Sequence, residues 1–421
     1  MKKVHLFILF CCFFAAAIVA QEKKIPIEWD FNRYRFGGYG EILFQHFNYG
    51  ADRYKDPNGA QPDNRSYVSL PRTIFAFDYK FRDDIVLSTE VEFEYGGTGA
   101  AMELEYEEGG EYEMEIEKGG EVTLEQFHIT KRFCNALNIR VGHMIVPVGL
   151  TNAHHEPIFF FGTSRPEGEM TILPCTWHET GISILGYAAG FRYEVMMING
   201  LDPNAFSSIN WIREGKQSMF ETSVMTSPAF AGRVEYSGIR NLRLGMSGYF
   251  NNTAKNATKP EKTTLIKAPV SIASFDAQYG SKNLIVRANF IYGNLGDSKQ
   301  LSSINRTISK NTNFPRTPVA KNAVSYSAEA GYNILSFFPT KEKLMPFIRY
   351  EYYNCAEKME EGMAEMPINR RNVITFGLNY NILPNMVLKA DYSMRRLGSG
   401  NYNNENTFGI ALAYTGWLIK N

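Results

Sequence analysis

Pairs of opposite charge two residues apart recur along the chain. A base followed by an acid occurs four times, as Arg192/Glu194, Arg233/Glu235, Arg349/Glu351 and Lys389/Asp391. Two residues along an extended strand lie about 7 Å apart on one face, within reach of long side chains. Arg140 and Arg287 fall on equivalent faces, whereas Glu90, Glu92 and Glu94 make one segment wholly acidic. These charges predict either a transverse field that acts on passing solutes or ion pairs that satisfy charges within a wall.

A second group of ionisable residues falls in one long polar segment, 147–176. It contains His154, His155, Glu156 and Arg165. Such groups set the field of a pore where they narrow it. Imidazole and carboxylate are also good zinc ligands. Adjacent histidines on an extended chain point in opposite directions, however, so the sequence predicts no metal site and no cofactor.

Sixteen segments alternate apolar with polar residues and predict strands, because a strand turns successive side chains to opposite faces. They span 36–47, 70–81, 85–95, 121–131, 137–146, 177–187, 191–201, 230–237, 241–251, 270–280, 283–293, 323–334, 345–354, 371–381, 386–396 and 404–415.

Tight turns and long loops rich in Gly, Asn, Asp and Pro alternate between these segments. A soluble β-sandwich gives no reason for that alternation, whereas a membrane barrel has short turns on one side and long loops on the other. The prediction is an all-β fold, a transmembrane antiparallel up-and-down β-barrel of about 16 strands with short periplasmic turns and long extracellular loops. Tyrosines near the strand ends, Tyr249 among them, predict an aromatic girdle on its outer surface.

The N-terminus has the layout of an export signal. Lys2 and Lys3 precede an apolar run from Val4 to Ala20 that ends in small residues. Residues 1–20 are therefore predicted to be a cleaved signal peptide, and residues 21–421 a single barrel domain. Export and the barrel pattern together predict the outer membrane of a Gram-negative cell, with its lipid as a partner.

Charge and cysteine content set further limits. The 421 residues include 44 Lys and Arg and 44 Asp and Glu, for a formal net charge of zero. Loss of Lys2 and Lys3 leaves two negative charges, too little to imply a nucleic-acid partner. The remaining cysteines, Cys134, Cys175 and Cys355, are too few for a disulfide framework, and both a Cys175–Cys355 disulfide and free thiols stay open.

Two short segments resemble a known family. The stretch from Asn138 to Leu150 ends in Pro147, Gly149 and Leu150, and Val195 to Gly200 ends in Asn-Gly. Both resemble the phosphate-selective porin O and P family, which has a proline-containing turn into its third extracellular loop. Where that family has basic and Phe residues, this chain has His143, Met144 and Val148. The resemblance implies a sixteen-stranded homotrimeric porin whose third loop, 147–176 here, folds into the lumen as the constriction.

An acidic repeat in loop 98–120 predicts a β-hairpin. Apolar residues from Met102 to Ile116 alternate with glutamates around Gly109-Gly110, which gives one apolar and one acidic face. The apolar face would cover a neighbouring subunit, with the glutamates binding surface divalent cations. Alternatively, the hairpin lies on its own barrel with a solvated acidic face.

These observations favour a porin for passive diffusion of small hydrophilic solutes or ions through a mixed-charge lumen. Only the family resemblance implies that the solutes are phosphate or other anions. The alternative is a non-conducting surface barrel that acts as an adhesin or a structural protein. No enzyme is predicted, because an outer-membrane phospholipase needs a Ser beside a His on the lipid face and His143 has no such neighbour.

Overall fold

The computed structural model describes residues 29–51, 53, 57–97, 103–104, 112–113, 120–217, 223–259, 263, 265–308 and 317–421. The predicted signal peptide and most of loop 98–120 lie outside the described residues.

Sixteen long strands form one closed sheet. They are β1 (Tyr34–Tyr49), β2 (Pro62–Arg82), β3 (Ile85–Glu94), β4 (Glu121–Cys134), β5 (Leu137–Ile145), β6 (His178–Ala188), β7 (Phe191–Ile198), β8 (Ala229–Tyr236), β9 (Leu242–Asn252), β10 (Pro269–Gly280), β11 (Leu284–Leu295), β12 (Asn322–Tyr332), β13 (Lys343–Lys358), β14 (Arg370–Leu383), β15 (Met386–Leu397) and β16 (Asn404–Lys420). Each pairs antiparallel with the next along the chain, and β1 pairs with β16. The predicted up-and-down barrel of sixteen strands is confirmed.

The remaining elements lie in the connections. Helices are α1 (Leu150–Ala153), α2 (Glu167–Ile172) and α3 (Ser298–Ile308), and single 3₁₀ turns span Pro157–Phe159, Pro203–Ala205, Arg213–Gly215, Thr253–Asn256, Ile334–Phe337 and Pro367–Asn369. Within loop 98–120, Glu103–Leu104 and Tyr112–Glu113 pair antiparallel as a separate two-stranded sheet, as the hairpin prediction requires.

Among the described residues, no helix combines the length and the apolar character that a bilayer crossing requires.

The outer surface of the barrel is apolar. Along β16, Phe408, Ile410 and Leu412 are exposed, whereas Thr407 and Ala411, on the other face, are buried. Other strands repeat the pattern with exposed Phe75, Phe127, Val141, Ile184, Val195, Phe230, Met246, Phe275, Ile348 and Phe376. A belt of this size is incompatible with a water-facing surface and is typical of a lipid-facing barrel wall.

The interior differs between the two ends. Toward the long-loop end, buried apolar side chains form a cluster inside the barrel, and its members Trp177, Phe206 and Trp211 are fully buried. Inward residues of the wall join it, among them Tyr249, whose ring lies 4.7 Å from that of Trp177. The prediction that Tyr249 belongs to the outer girdle was wrong. Its side chain lies on the inner face of the wall, which is covered there by loops.

All three described cysteines are free thiols. Cys355 lies within β13 and not in a loop, and its Sγ lies 3.1 Å from the carbonyl oxygen of Ile209. Cys175 and Cys355 therefore do not form a disulfide in this structure.

A charge placed in the outer belt tests the orientation of the wall. We expect Ile348→Arg to lower the free energy of unfolding from lipid vesicles by about 2 kcal/mol, because the guanidinium would enter hydrocarbon. Ile348→Leu is the matched control and should behave like the original chain. Equal stability of the two variants in urea titrations would contradict a lipid-facing position.

Candidate functional site

The third loop, residues 147–176, connects β5 to β6 and lies inside the barrel. Its α1, the 3₁₀ turn Pro157–Phe159 and α2 contact strands on other parts of the wall. Gly149 O accepts a hydrogen bond from Arg233 of β8, and Ser164 O accepts one from Arg349 of β13. The loop thus spans the lumen instead of projecting from the rim.

Lys389 holds the middle of this loop. Its side chain is only 1% exposed, and its Nζ donates to the carbonyl oxygens of Pro157, Phe160 (2.8 Å) and Gly162 (2.9 Å). The ammonium also lies 4.2 Å from the centre of the Phe160 ring. Three carbonyl oxygens that would otherwise be unpaired in the interior are satisfied by one cation.

Asp391, two residues further along β15, completes this anchor. Its carboxylate accepts hydrogen bonds from the backbone N–H and from the hydroxyl of Thr163, the latter at 3.2 Å. Lys389 and Asp391 therefore both bind the loop and do not form an ion pair with each other. The predicted pair lies on one inward face, but its two charges bind backbone and hydroxyl groups of the loop.

A buried ion pair fixes the second half of the loop. Glu167 of α2 binds Arg395 of β15 through two hydrogen bonds, one of them Nε to Oε2 at 2.7 Å, and Tyr353 donates to the same carboxylate at 3.0 Å. Burial opposes ionisation of Glu167, but the charge and hydrogen bonds of Arg395 outweigh it and lower the pKa of the carboxyl to about 2. The carboxylate is therefore ionised over the physiological pH range.

Glu169, on the same helix, joins the loop to itself and to β11. It accepts hydrogen bonds from Asn152 N at 2.7 Å and from Asn289 Nδ2 at 2.6 Å. Burial raises the pKa of this carboxyl above its ordinary value. Since both contacts come from N–H groups, they help to retain the ionised form in the interior.

The other base–acid repeats form ion pairs in the wall. Arg233 Nε lies 2.8 Å from Glu235 and its Nη1 lies 2.8 Å from Asp276, while Arg349 Nε lies 2.8 Å from Glu351. Arg287 pairs with Glu329 of the adjacent strand at 2.6 Å. In these repeats the base and the acid lie at ion-pair distance, as the second of the two interpretations of the sequence pattern expects.

The two residues of the repeat Arg192/Glu194 have different surroundings. Glu194 Oε1 lies 3.3 Å from Arg140 and accepts a hydrogen bond from Ser183 at 2.6 Å. Arg192 is exposed near the short-turn end of the barrel and lines a cavity there.

Two cavities flank the third loop, and His154 lines both. The larger, about 400 Å³, is bordered by charged groups of both signs, four arginines and four glutamates: Arg132, Arg140, Arg192, Arg233, Glu90, Glu156, Glu194 and Glu235. The smaller, about 300 Å³, contacts Phe159, Phe160, Arg243, Arg287 and Glu329. The larger cavity also reaches Asn135 and Tyr187 at the short-turn end.

His154 and His155 have different partners, although both border the larger cavity. His154 Nε2 accepts a hydrogen bond from Arg243 at 2.6 Å, and Nδ1 donates to Leu150 O at 3.2 Å. Burial and the charge of Arg243 lower the pKa of His154 to about 3, so it is neutral at physiological pH. His155 instead faces Glu125 at 3.7 Å; burial opposes its charged form, but that carboxylate raises its pKa overall.

Glu156 and Arg165, the remaining predicted loop residues, differ in position. Glu156 borders the larger cavity and accepts a hydrogen bond from the hydroxyl of Thr415. Arg165 is buried, and its Nη1 lies 3.4 Å from Cys175 Sγ. A pore-lining role for the whole set of predicted residues stays a prediction.

Glu125 is the residue that sequence reasoning missed. Glu90 pairs with Gln126 and Val91 with Leu124, so Glu125 is the extra residue of a β-bulge in β4. A bulge shifts the alternation by one residue and turns two consecutive side chains toward the same side. The signal was present in the sequence as a change of phase, since polar residues occupy 121, 123 and 125 and then 126, 128 and 130.

Comparisons with known proteins agree with this architecture. No family model matches the chain. A protein of Aquifex aeolicus (strain VF5), described only as uncharacterized, is 28% identical over 362 residues, which is 85% of this chain and 74% of that protein.

Solved structures give the same fold at low identity. OmpF of Salmonella typhi, in complex with daunomycin, has a TM-score of 0.56 at 12% identity, covering 92% of this chain and 99% of that chain. The anion-selective porin of Comamonas acidovorans has a TM-score of 0.53 at 10% identity, covering 91% and 99%. The outer membrane channel DcaP of Acinetobacter baumannii has a TM-score of 0.53 at 13% identity, covering 91% and 97%. The chain therefore has a porin-like fold.

Removal of the Lys389 charge tests the anchor. In Lys389→Met the three carbonyl oxygens of the loop lose their donor, so we expect the free energy of unfolding to fall by about 3 kcal/mol. Limited proteolysis should then cut between residues 157 and 162. Lys343→Met, which removes an exposed lysine at the start of β13, is the control. A protease-resistant Lys389→Met variant of unchanged stability would contradict the anchoring role.

Proposed function

We propose that the chain is an outer-membrane porin through which small hydrophilic solutes or ions diffuse passively. The observation that carries the proposal is the contrast between the two faces of the closed barrel. The outer face is a continuous apolar belt, while the inner face borders a charged cavity of about 400 Å³ at the short-turn end. Water and charged solutes find suitable partners only on the inner side.

The proposed lumen is of mixed charge. Four arginines and four glutamates border the larger cavity, so their formal charges cancel. A row of bases that selects phosphate would be weakened by interleaved carboxylates, since each repels the anion and neutralises its neighbour. We therefore propose weak charge selectivity, and phosphate specificity rests on the family resemblance alone.

One observation favours the alternative of a non-conducting barrel. The apolar cluster around Trp177 and Trp211 lies in the long-loop half of the interior, and a channel needs a continuous aqueous path past it. Conductance in planar bilayers separates the two functions.

We expect discrete conductance steps from the purified full-length protein and a reversal potential near zero in a tenfold KCl gradient. Arg140→Glu replaces one cavity base by an acid and should shift the potential toward cation selectivity. Lys282→Glu makes the same charge change in the exposed β10–β11 turn and should leave the potential unaltered. Absence of conductance would favour the alternative, and a strongly anion-selective potential would exclude the mixed-charge lumen.

We also propose a homotrimer, on the family resemblance and the acidic hairpin. The hairpin strands pair with each other and not with the barrel sheet, which leaves the hairpin available to a neighbouring subunit. Deletion of residues 100–119 should lower the temperature at which trimers dissociate on seminative gels. Trimers of unchanged stability would remove this role from the hairpin.

A further inference from the structure

The bulge in β4 turns Glu125 toward the third loop. Glu125 is fully buried, and its Oε2 accepts a hydrogen bond from Tyr39 of β1 at 3.1 Å. Its other oxygen, Oε1, is buried without a hydrogen-bond partner in the structure. A buried carboxylate oxygen without a donor is costly unless a cation or another donor is near.

Three metal-ligating side chains meet at this point. They are Glu90 of β3, Glu125 of β4 and His155 of the third loop. Each offers one ligand atom, and the three atoms lie within 4.8 Å of one another. Glu90 is further oriented by Gln126, whose Nε2 donates to its Oε2 at 2.6 Å. Two carboxylates and one imidazole are a ligand set that suits zinc.

The ring of His155 is oriented so that one nitrogen, Nε2, faces the two carboxylates. Nδ1 lies 3.1 Å from Asn152 O, and because a carbonyl oxygen can only accept, Nδ1 carries the proton of the neutral ring. Nε2 is buried, has no hydrogen-bond partner and lies 3.7 Å from Glu125 Oε2. In the neutral ring two lone pairs therefore face each other, as they do when both atoms ligate one metal ion. A backbone carbonyl on the other ring nitrogen is the usual arrangement for a metal-bound histidine.

The charge of the surroundings also favours a cation. Glu41 and Glu92 lie beside the cluster, and each has one buried oxygen without a hydrogen-bond partner. The neighbouring base is Arg72, which pairs with Glu41 at 3.3 Å and donates to His155 O at 2.7 Å. The formal charges of the four glutamates and Arg72 sum to −3. A divalent cation reduces this excess to one.

We propose that Glu90, Glu125 and His155 bind one divalent transition-metal ion, zinc by the chemistry of the ligands, which ties the third loop to the barrel wall. Ligand atoms on a tetrahedral zinc ion at about 2.1 Å lie about 3.4 Å apart. His155 Nε2 and Glu125 Oε2, 3.7 Å apart, are already close to that spacing. Glu90 and His155 border the larger cavity, which supplies the route of entry and leaves a fourth position for water.

The competing arrangement is a protonated His155 paired with Glu125 and no metal. The two differ in their response to zinc, because a metal requires the deprotonated ring and the carboxylates, whereas the ion pair does not bind it. The test titrates ZnCl₂ into the full-length protein, purified in detergent and freed of metal with a chelator, by isothermal titration calorimetry. We expect one zinc ion per chain.

Three variants identify the ligands. Glu125→Gln, which keeps the shape of the side chain, and His155→Ala should each weaken zinc binding at least tenfold. His154→Ala, which removes the adjacent imidazole that faces Arg243 instead, should leave the affinity unchanged. X-ray absorption at the zinc edge should show one imidazole among oxygen ligands.

Absence of zinc binding by the original chain, or equal binding by all variants, would overturn the proposal. Equal affinity for Ca²⁺ would exclude the imidazole as a ligand, because Ca²⁺ takes oxygen ligands. Circular dichroism of each variant separates loss of the site from loss of the fold. Since the measurement involves no current, its failure leaves the channel proposal standing, and loss of conductance leaves the metal site standing.

Discussion

Closure of the backbone hydrogen-bond ladder is the constraint on which the rest of the structure depends. In hydrocarbon an unpaired backbone N–H or C=O costs several kcal/mol, so a sheet can cross a membrane only if it has no edge. Pairing of β1 with β16, from Arg35 opposite Lys420 to Phe47 opposite Thr407, removes both edges. Once the ladder is closed, the alternation of each strand fixes which side chains face lipid and which face the lumen.

A closed wall sixteen strands around encloses more space than its own side chains can fill. In this protein loops occupy part of that space, and the interactions that hold them differ along the barrel axis. At the long-loop end apolar side chains of the loops and the wall pack together around Trp177 and Trp211. Nearer the middle, charged side chains bind the third loop through its backbone carbonyls and its glutamates.

These buried charges have a structural consequence. Lys389 and Arg395 are almost entirely removed from solvent, so each is stable there only because its partners satisfy it fully. Loss of one partner leaves a charge buried without compensation, which costs more than the pair contributes. The loop is thus held in one position by interactions that tolerate little displacement. A fixed loop defines the two cavities, and the larger of them has charged groups of both signs along its wall.

Much of the fold could be predicted from the sequence because the pattern that encodes it is local. Alternation along each strand gave all sixteen strands with boundaries mostly within a few residues; β2 and β13 extend further toward the long-loop end than the pattern shows. Alternation cannot say what covers a face. Tyr249 was assigned to the outer girdle, yet it packs against Trp177, which is distant in the chain.

The site shows the same contrast between what local sequence predicts and what depends on distant residues. Inward placement of Arg233, Arg349 and Lys389 follows from their position in a strand, so the sequence determined it. Arg233 and Arg349 also pair with the acid two residues away. Their further partners do not follow from the sequence, because such a base is free to bind a neighbouring strand or a loop as well. Lys389 binds three loop carbonyls, and Glu125 faces His155 of the third loop because a one-residue bulge turns that carboxylate inward. The sequence by itself determined the barrel and the faces of its strands, since these depend on neighbouring residues. Only the tertiary structure decided which charges meet the third loop, since those contacts join residues far apart in the chain.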